Sequence, residues 1–263
     1  MTRVALGIEY QGGAYCGWQA QPVVPSVQSR LEAAVASVAA TPVQITAAGR
    51  TDAGVHACGQ VVHFDCEHAR SASAWVLGVN SALPPDISVS WAQAVPQHFH
   101  ARYAATARSY RYLMLNRRAR SALVAGRALL VHRPLEVARM NEAAAHLVGE
   151  HDFSAFRAAE CQAQSPVRVV HALRVVRAGD WVWIEVTANA FLHHMVRNIA
   201  GLLLAVGRGD APPVRAAEQL ASRQRTLGEA TAAAHGLYLW RVLYPVAFGL
   251  PCQSAMIWPG GAD

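Results

Sequence analysis

The sequence predicts an α+β protein with two similar halves, each a largely antiparallel sheet with helices on one face. Strand-like runs of alternating or β-branched residues recur in both parts of the chain. The tight turn Ala178-Gly179-Asp180 joins two of these runs, as in an antiparallel hairpin. The order of elements is similar in the two parts although no sequence repeat is visible, which permits two halves of similar structure.

The first predicted domain, residues 1–104, opens with a strand that leads into a glycine-rich loop at 12–17. Its first helix begins at Pro25 or Ser26, because these residue types suit the first turn of a helix, and Pro42 ends it. The predicted elements are a strand at 4–10, a helix at 27–40, strands at 43–47 and 60–64, a helix at 72–83 and a strand at 87–92.

The second predicted domain covers residues 105–248 and leaves an irregular tail at 249–263. Residues 181–188 alternate tryptophan or polar side chains with valine and isoleucine, which predicts a strand with one buried face. The predicted elements are a strand at 107–116, a helix at 137–147, an irregular segment at 152–166, strands at 168–177 and 181–188, helices at 192–206 and 213–222, and a strand at 237–243.

Lysine is absent from this chain of 263 residues, so all 23 basic side chains counted as lysine plus arginine are arginine. This composition excludes mechanisms that need an amine nucleophile, and it excludes the lysine of a Walker-type phosphate loop. A GC-rich genome is a sufficient cause of the lysine deficit. The excluded chemistry is the same whatever the cause.

Acidic residues are missing between Asp86 and Glu136, while the whole chain carries a formal charge of +6. Arginines supply charge for phosphates, and interleaved aromatic rings supply flat faces for unstacked bases, so we predict a nucleic-acid partner. The alternative is a solvated basic face with aromatic residues in the core. The arginines are Arg102, Arg108, Arg111, Arg117, Arg118, Arg120, Arg127 and Arg133, and the aromatic residues are Phe99, Tyr103, Tyr110 and Tyr112.

A single carboxylate, Asp52, stands out in the loop between two predicted strands. Arg50 precedes it, and Gly49 and Gly54 bound the turn, which allows the backbone to present a side chain into a cleft. A loop aspartate beside an arginine is also typical of a turn cap or a salt bridge. Local sequence leaves both interpretations open.

Cofactor and membrane signals are weak. The five cysteines are scattered and never form a CxxC pair, which argues against a zinc site or a disulfide framework. The pairs His98/His100 and His193/His194 have no third ligand at a usual spacing, so we predict no metal site. No apolar run is long enough to span a bilayer, and a cytoplasmic location is the default expectation.

Two smaller patterns remain open. Helical spacing in 191–198 predicts that His193 and Arg197 share one face, where Arg197 could pair with a carboxylate or cap a surface helix. Near the C-terminus, alternation places Leu237 and Leu239 on one side of a strand, which is usually a core position.

Several ordered motifs resemble the tRNA pseudouridine synthase A family, from about residue 3 to 245. They are GIEYQGGAYCGWQ, SVQSRLE, AAGRTDAGVHACGQVVHF, NSALPPDI, FHARYAATARSYRY, DFSAFRA, FLHHMVRNIAG and HGLYLWRV. The resemblance implies isomerisation of uridine to pseudouridine at positions 38, 39 and 40 of tRNA, a central RNA-binding cleft between the halves, a homodimer, and no cofactor or metal.

The resemblance also assigns roles to residues. Asp52 would be the nucleophile, Tyr110 would stack on the target uracil, Arg197 would pair with Asp52, and Leu237 would close the pocket. A general base must remove the C5 proton, and the tyrosine position is a candidate. The implied substrate-binding residues are Arg50, Leu237, Phe99, His100, Ala101, Arg102, Tyr103, Cys161, Gln162 and Ser165.

Two other function classes are weaker alternatives. A non-catalytic RNA-binding protein would use the same basic surface without needing Asp52. An aspartate-dependent hydrolase of RNA would need a second carboxylate or a metal cluster, and the sequence pattern indicates neither.

Overall fold

The computed structural model describes residues 1–68 and 70–251, which form two compact units. The first unit contains Met1–Thr106 together with residues 239–251, and the second contains Ala107–Tyr238. The predicted tail lies outside the described residues from 252 onward. No helix within the described ranges combines the length and the apolar character needed to cross a membrane.

The first unit opens with the strands and helices of the predicted N-terminal domain. Their bounds are β1 (Thr2–Tyr10), α1 (Val27–Ala39), β2 (Thr46–Ala47), β3 (His56–Cys66), α2 (Ala72–Ala82) and β4 (Ile87–Val95). The middle strand, β1, pairs antiparallel with both β3 and β4, and β2 pairs antiparallel with β3. The predicted strand at 60–64 is therefore longer, because its pairing with β1 continues back to Ala57.

Helix α1 has the predicted start and end. The Ser26 hydroxyl accepts a hydrogen bond from the Ser29 N–H, which caps the first turn. The helix ends at Ala39 because Ala40 adopts a left-handed conformation with φ +59°, two residues before Pro42. Its buried face includes Leu31 and Val35.

The second unit contains the remaining elements up to Tyr238. They are β5 (Ala107–Asn116), β6 (Leu129–Val131), α3 (Val137–Ala145), β7 (Gly149–Asp152), β8 (Val167–Ala178), β9 (Trp181–Ala188), α4 (Met195–Gly207) and α5 (Arg215–Ser222). The strand order is β5-β9-β8-β7 with antiparallel pairs, and β6 pairs parallel with β5. Strand β10 (Leu237–Leu243) starts at the end of this unit.

The residues described thus form an α/β structure with five α-helices and mostly antiparallel strand pairing. The alternation predicted for β9 is confirmed, since Val182, Ile184 and Val186 are buried and their neighbours are partly exposed. Strands β6 and β7 were not predicted. They are short, three and four residues, and carry little periodicity of their own.

The predicted start of α4 at Leu192 is wrong by three residues. His194 has φ +61°, a left-handed conformation that a helix cannot continue through, so the helix starts at Met195. The predicted helical face shared by His193 and Arg197 is therefore also wrong, because His193 precedes the helix. The two residues that precede the helix, His193 and His194, have ring centroids 4.1 Å apart.

Residues 239–251 group with the first unit and contribute to its core. Phe99 lies in a cluster of buried residues, and its ring centroid is 5.3 Å from that of Tyr244 and 5.1 Å from that of Phe248. The Tyr244 hydroxyl donates to the Ala101 carbonyl at 2.6 Å. The chain that was predicted to end the second domain thus completes the core of the first unit.

Candidate active site

Asp52 lies in the connection between the adjacent antiparallel strands β2 and β3, which we call the Asp52 loop (residues 48–55). The Val55 N–H donates to the Asp52 carbonyl at 3.1 Å and closes a tight turn. Gly54, inside this turn, has φ +77°, which explains the glycine that follows the Asp-Ala pair. Asp52 is partly exposed and Ala53 is exposed, whereas Thr51 and Val55 are buried.

Strand β3 fixes the start of the Asp52 loop. The Ala48 N–H donates to the Val61 carbonyl at 2.8 Å, so the ladder continues one residue past β2. The Gln60 side chain, which is fully buried, donates to the Gly49 carbonyl at 2.7 Å. A buried side-chain amide therefore satisfies a loop carbonyl that has no strand partner in this ladder.

The glycine-rich segment after β1 packs directly on the Asp52 loop. A Cβ atom on Gly12 would lie 1.9 Å from the Val55 carbonyl oxygen, and one on Gly17 would lie 2.8 Å from the Thr51 carbonyl oxygen. Only glycine permits this approach of two backbones. The Gly12 N–H also donates to His56 Nδ1 at 3.0 Å, at the far end of the loop.

Helix α1 in turn anchors the glycine-rich segment. The Val27 N–H donates to the Gly17 carbonyl at 3.3 Å, and the Gln28 N–H donates to the Trp18 carbonyl at 3.0 Å. These are N–H groups of the first helical turn, which lack partners inside the helix. The first turn of α1 therefore holds the glycine-rich segment, and that segment in turn packs on the Asp52 loop. Arg50, within the loop, is exposed.

The predicted substrate-binding segment 99–103 divides into buried and exposed positions. Phe99 and Ala101 are fully buried, so they anchor the segment in the core and are not available to contact a substrate. Tyr103 is 76% exposed, and the Arg102 guanidinium carbon lies 5.6 Å from the centre of its ring. His100 Nδ1 accepts the N–H groups of Arg102 and Tyr103 at 3.1 and 3.2 Å, which fixes the turn that carries both side chains.

Burial and nearby positive charges lower the pKa of the two histidines, His63 and His100, at this turn. His63 accepts the Ala101 N–H at 3.1 Å, and burial, together with the charges of Arg3 and His100, lowers the pKa of His63 to about 4. Burial and Arg3 also lower the pKa of His100. The Arg3 guanidinium holds the Asp65 carboxylate at 2.7 and 2.9 Å, and this hydrogen bond lowers the pKa of Asp65.

The second unit places Tyr110 and Tyr112 on the same face of β5. Tyr110 is 9% exposed, and its ring meets the ring of Phe191 edge to face, with centroids 5.0 Å apart. Tyr112 is fully buried and donates to the Ala233 carbonyl at 2.9 Å. Burial raises the pKa of Tyr112 well above the usual phenol value, against the opposing charge of Arg197.

Arg197 projects from the first turn of α4 and is held by the segment 230–232. Its Nε donates to the Ala232 carbonyl at 2.8 Å, and the Ala232 N–H donates to the Arg197 carbonyl at 3.1 Å. The segment can approach because Gly201 has no side chain, and a Cβ atom there would lie 2.0 Å from the Ala230 carbonyl oxygen. Arg197 therefore binds the segment 230–232 through both its side chain and its backbone carbonyl.

Leu237 begins β10 and is 5% exposed. The preceding Gly236 lies against β5, because a Cβ atom on Gly236 would be 2.9 Å from the Tyr112 ring and 3.0 Å from the Leu113 carbonyl oxygen. Leu237, Arg197 and Tyr112 are therefore linked through one short stretch, residues 230–237.

Cys161, Gln162 and Ser165 lie in the irregular segment that precedes β8. Cys161 Sγ accepts the His193 N–H at 3.4 Å, whereas Gln162 and Ser165 are exposed. Burial disfavours the Cys161 thiolate. Hydrogen bonds from backbone N–H groups and the nearby charge of Arg157 outweigh burial, so the pKa of Cys161 lies below its usual value.

Some of the arginines proposed for phosphates are already paired within the protein. Arg111 contacts the Glu185 carboxylate at 2.5 Å, and Arg133 contacts Asp210 at 2.8 Å. Arg102, Arg118 and Arg120 are exposed and are better placed for an external anion. The count of arginines in the sequence therefore overstates how many guanidinium groups can bind an external phosphate.

The polar residues that hold the Asp52 loop were not predicted. The Tyr10 hydroxyl is hydrogen-bonded to the Thr51 hydroxyl, and the Trp18 N–H donates to the Thr51 carbonyl. Like Gln60, these residues stand in a predicted strand or in the glycine-rich loop, and nothing in their spacing indicates a shared target. The glycines at 12 and 17 were a usable signal, because glycine inside a short connection indicates close approach of two backbones.

Comparison with known proteins places this chain. The family model described as tRNA pseudouridine synthase matches residues 7–104 and 143–245. A protein of Nitrosococcus oceani named tRNA pseudouridine synthase A is 55% identical over 252 residues, covering 96% of this chain and 97% of that protein. One of the same name from Pseudomonas aeruginosa is 54% identical, covering 95% and 88%.

Among solved structures, a chain from an H/ACA RNP bound to a substrate RNA containing 2′-deoxyuridine has a TM-score of 0.32 at 14% identity, over 76% of this chain and 44% of that chain. That similarity is too low to bear on the fold. The family match spans most of the chain, and the relatives cover nearly all of it. The chain belongs to the tRNA pseudouridine synthase family.

Proposed function

We propose that this protein converts uridine to pseudouridine at positions 38, 39 and 40 of the tRNA anticodon stem-loop, with Asp52 as the nucleophile. The observation that carries the proposal is the Asp52 loop itself. In a member of this family, a partly exposed carboxylate directly follows the buried Thr51 on a connection fixed at both ends. A nucleophile needs such a combination of access and fixed direction.

The reaction detaches uracil from its ribose, turns the base, and joins C5 to C1′. An ionised carboxylate can act at C1′ or C6 without first losing a proton, which suits an aspartate. A guanidinium near Asp52 would favour the charged carboxylate and orient it, and Arg50 and Arg197 are the candidates. A general base must then remove the C5 proton, and Tyr110 is the candidate for that step.

We assign the target base to the Tyr110 region. The target uridine must leave the RNA stack, and a flipped base needs a flat or apolar surface to replace its stacking. Tyr110 is fixed by Phe191, and Leu237 is fixed by the close approach of Gly236 to β5. These two side chains would contact the faces of the base. Cys161, Gln162 and Ser165 would bind the RNA close to the target base.

The exposed arginines would hold the RNA backbone. Arg102 with Tyr103, and Arg118 with Arg120, can meet phosphates without reading base sequence, which fits an enzyme that modifies neighbouring positions in many tRNAs. His100 would keep Arg102 and Tyr103 in one orientation because it accepts both of their N–H groups.

The proposal requires Asp52 and Arg197 to act on one uridine, in a cleft to which both halves contribute. A double-mutant cycle on Asp52 and Arg197 tests this requirement, since groups acting on the same step lose activity non-additively. We also propose a cytoplasmic homodimer, as the family resemblance implies. Light scattering of the purified protein, alone and with tRNA, would contradict the dimer if it gave the mass of one chain.

The central experiment measures tritium release from tRNA that carries [5-³H]uridine. The native protein should release tritium, and Asp52→Asn should lower the rate by more than about 10³-fold because the nucleophile is lost. Glu218→Gln is the matched control, since it removes an exposed carboxylate on α5. Transcripts without uridine at positions 38–40 should release nothing.

Binding of tRNA without tritium release by the native, folded protein would contradict the isomerase function. Full activity of Asp52→Asn would leave isomerisation standing and contradict the assigned nucleophile. Mapping pseudouridine in the product RNA separates these outcomes from release at another position.

A further inference from the structure

Two buried hydroxyls meet next to the proposed nucleophile. The Tyr10 and Thr51 hydroxyl oxygens are 2.8 Å apart and hydrogen-bonded, and the two residues are 4% and 7% exposed. Tyr10 is the last residue of β1, and Thr51 immediately precedes Asp52. The hydrogen bond therefore joins the end of a central strand to the loop position adjacent to the carboxylate.

Thr51 is held at a second point. The Trp18 N–H donates to the Thr51 carbonyl at 3.0 Å, and the ring centroids of Tyr10 and Trp18 are 5.8 Å apart. The side chain and the carbonyl of Thr51 thus bind two different segments, and the next carbonyl, of Asp52, accepts the Val55 N–H. The peptide between Thr51 and Asp52 has little freedom to rotate.

We propose that Tyr10 is a positioning residue for the reaction, acting through Thr51 to fix the direction of the Asp52 carboxylate. The inference rests on the proposed function, because it takes Asp52 as the nucleophile. Tyr10 itself is buried and acts without touching the substrate. Its hydroxyl is needed because an apolar ring would pack equally well but would leave the Thr51 hydroxyl without this bond.

The proposed effect falls on the chemical step and not on tRNA affinity. A displacement of about 1 Å at a reacting group can cost roughly 10²-fold in rate. Loss of one hydroxyl should permit a smaller shift, so we expect Tyr10→Phe to lower the single-turnover rate about tenfold. The tRNA Kd should stay within about twofold, since the contacts that hold phosphates are unchanged.

The experiment compares four variants under single-turnover conditions with the tritium-labelled tRNA. Tyr10→Phe and Thr51→Val each remove one partner of the bond, and Thr51→Ser keeps the hydroxyl. Tyr238→Phe is the matched control, because Tyr238 is also 4% exposed and its hydroxyl donates to the Arg127 carbonyl at 2.6 Å. Each variant is also measured for thermal midpoint and for tRNA Kd by filter binding.

A positioning role predicts slow chemistry for Tyr10→Phe and Thr51→Val, and near-native rates for Thr51→Ser. It also predicts near-native rates for Tyr238→Phe despite a similar loss of thermal stability. The double variant Tyr10→Phe/Thr51→Val should be no slower than either single variant, because both remove the same bond.

Equal rates for Tyr10→Phe and the native protein would overturn the inference, as would an equal rate loss in Tyr10→Phe and Tyr238→Phe. If Tyr10→Phe failed to fold, the Thr51→Val and Thr51→Ser pair would decide the same question. Asp52→Asn separates the two levels. When it is inactive and the Tyr10 variants are unaffected, only the positioning inference fails; when the native protein is inactive on tRNA, the proposed function fails.

Discussion

The two units hold their proposed catalytic side chains in different ways. Asp52 stands on a connection that makes one hydrogen bond with each of Tyr10, Trp18 and Gln60. Arg197 stands at the start of α4, a helix whose residues are almost all buried. The position of Asp52 therefore depends on individual polar atoms, whereas the position of Arg197 depends on the packing of a whole helix. Polar deletions should affect the first region, and changes in volume should affect the second.

The sharpest test of this contrast substitutes one glycine by alanine in a helix of each unit. In Gly201→Ala the new Cβ would lie 2.0 Å from a backbone oxygen, so we expect the free energy of unfolding to fall by more than about 2 kcal/mol. In Gly78→Ala the nearest atom is a Val38 methyl carbon at 2.9 Å, which can move, so the change should stay within about 1 kcal/mol. Urea denaturation measures both.

Similar losses for the two glycine variants would show that the backbone contact on α4 does not govern stability. Because the segment contacted by Gly201 also binds the Arg197 side chain, Gly201→Ala should lower activity as well.

The second prediction concerns the guanidinium of Arg197. Arg197→Lys keeps the charge but cannot reproduce the hydrogen bond from Nε to the Ala232 carbonyl, so its direction is lost. We expect the single-turnover rate to fall by roughly 10²-fold with little change in thermal midpoint. Arg139→Lys, on α3, is the control, because it too donates to a backbone carbonyl. A native rate for Arg197→Lys would mean that charge alone suffices.

The third prediction places acid sensitivity in the first unit. The pKa of His63 is about 4 when folded and about 6.5 in an unfolded chain, so between these values the unfolded chain binds the extra proton. The free energy of unfolding must therefore fall as pH decreases through that window, on the order of 2 kcal/mol for this group. His63→Gln keeps an acceptor for the Ala101 N–H and removes the titration.

Denaturation at pH 7 and at pH 4.5 measures this difference. The native protein should lose more stability than His63→Gln between the two pH values. Equal losses would show that other groups, such as His100, whose pKa is also lowered, dominate the acid response.

The smallest expected effect is at the start of α1. Ser26→Ala removes the cap that binds the Ser29 N–H and should cost about 1 kcal/mol of stability. The same helix start holds Gly17 and Trp18, so a measurable loss in single-turnover rate would show that the cap reaches the Asp52 loop. Ser71→Ala, which removes the equivalent cap of α2, should cost similar stability and leave the rate unchanged.

Strong periodicity made much of the fold predictable. Strand β9 alternates along its whole length, and α1 carries a cap and a stop signal, so both lie where the sequence places them. The start of α4 was missed because a left-handed His194 has no sequence signature of its own. Strands β6 and β7 depend on pairing with distant strands, which a local pattern cannot reveal.

For the site, the sequence indicated the candidate catalytic carboxylate but not the residues that hold its loop in place. Asp52 was conspicuous as a carboxylate between glycines and an arginine. The bond between Tyr10 and Thr51 joins residues 41 positions apart, and no spacing rule connects them. The roles taken from family resemblance remain proposals until the variants are measured.

The return of residues 239–251 to the first unit has a consequence for how the chain matures. Among the described residues, the second unit is the continuous stretch Ala107–Tyr238, which has been synthesised once Tyr238 has left the ribosome. The cluster around Phe99 still lacks Tyr244 and Phe248 at that moment. Vectorial synthesis therefore makes the unit that carries Asp52 the last to close, although it is the first to be translated.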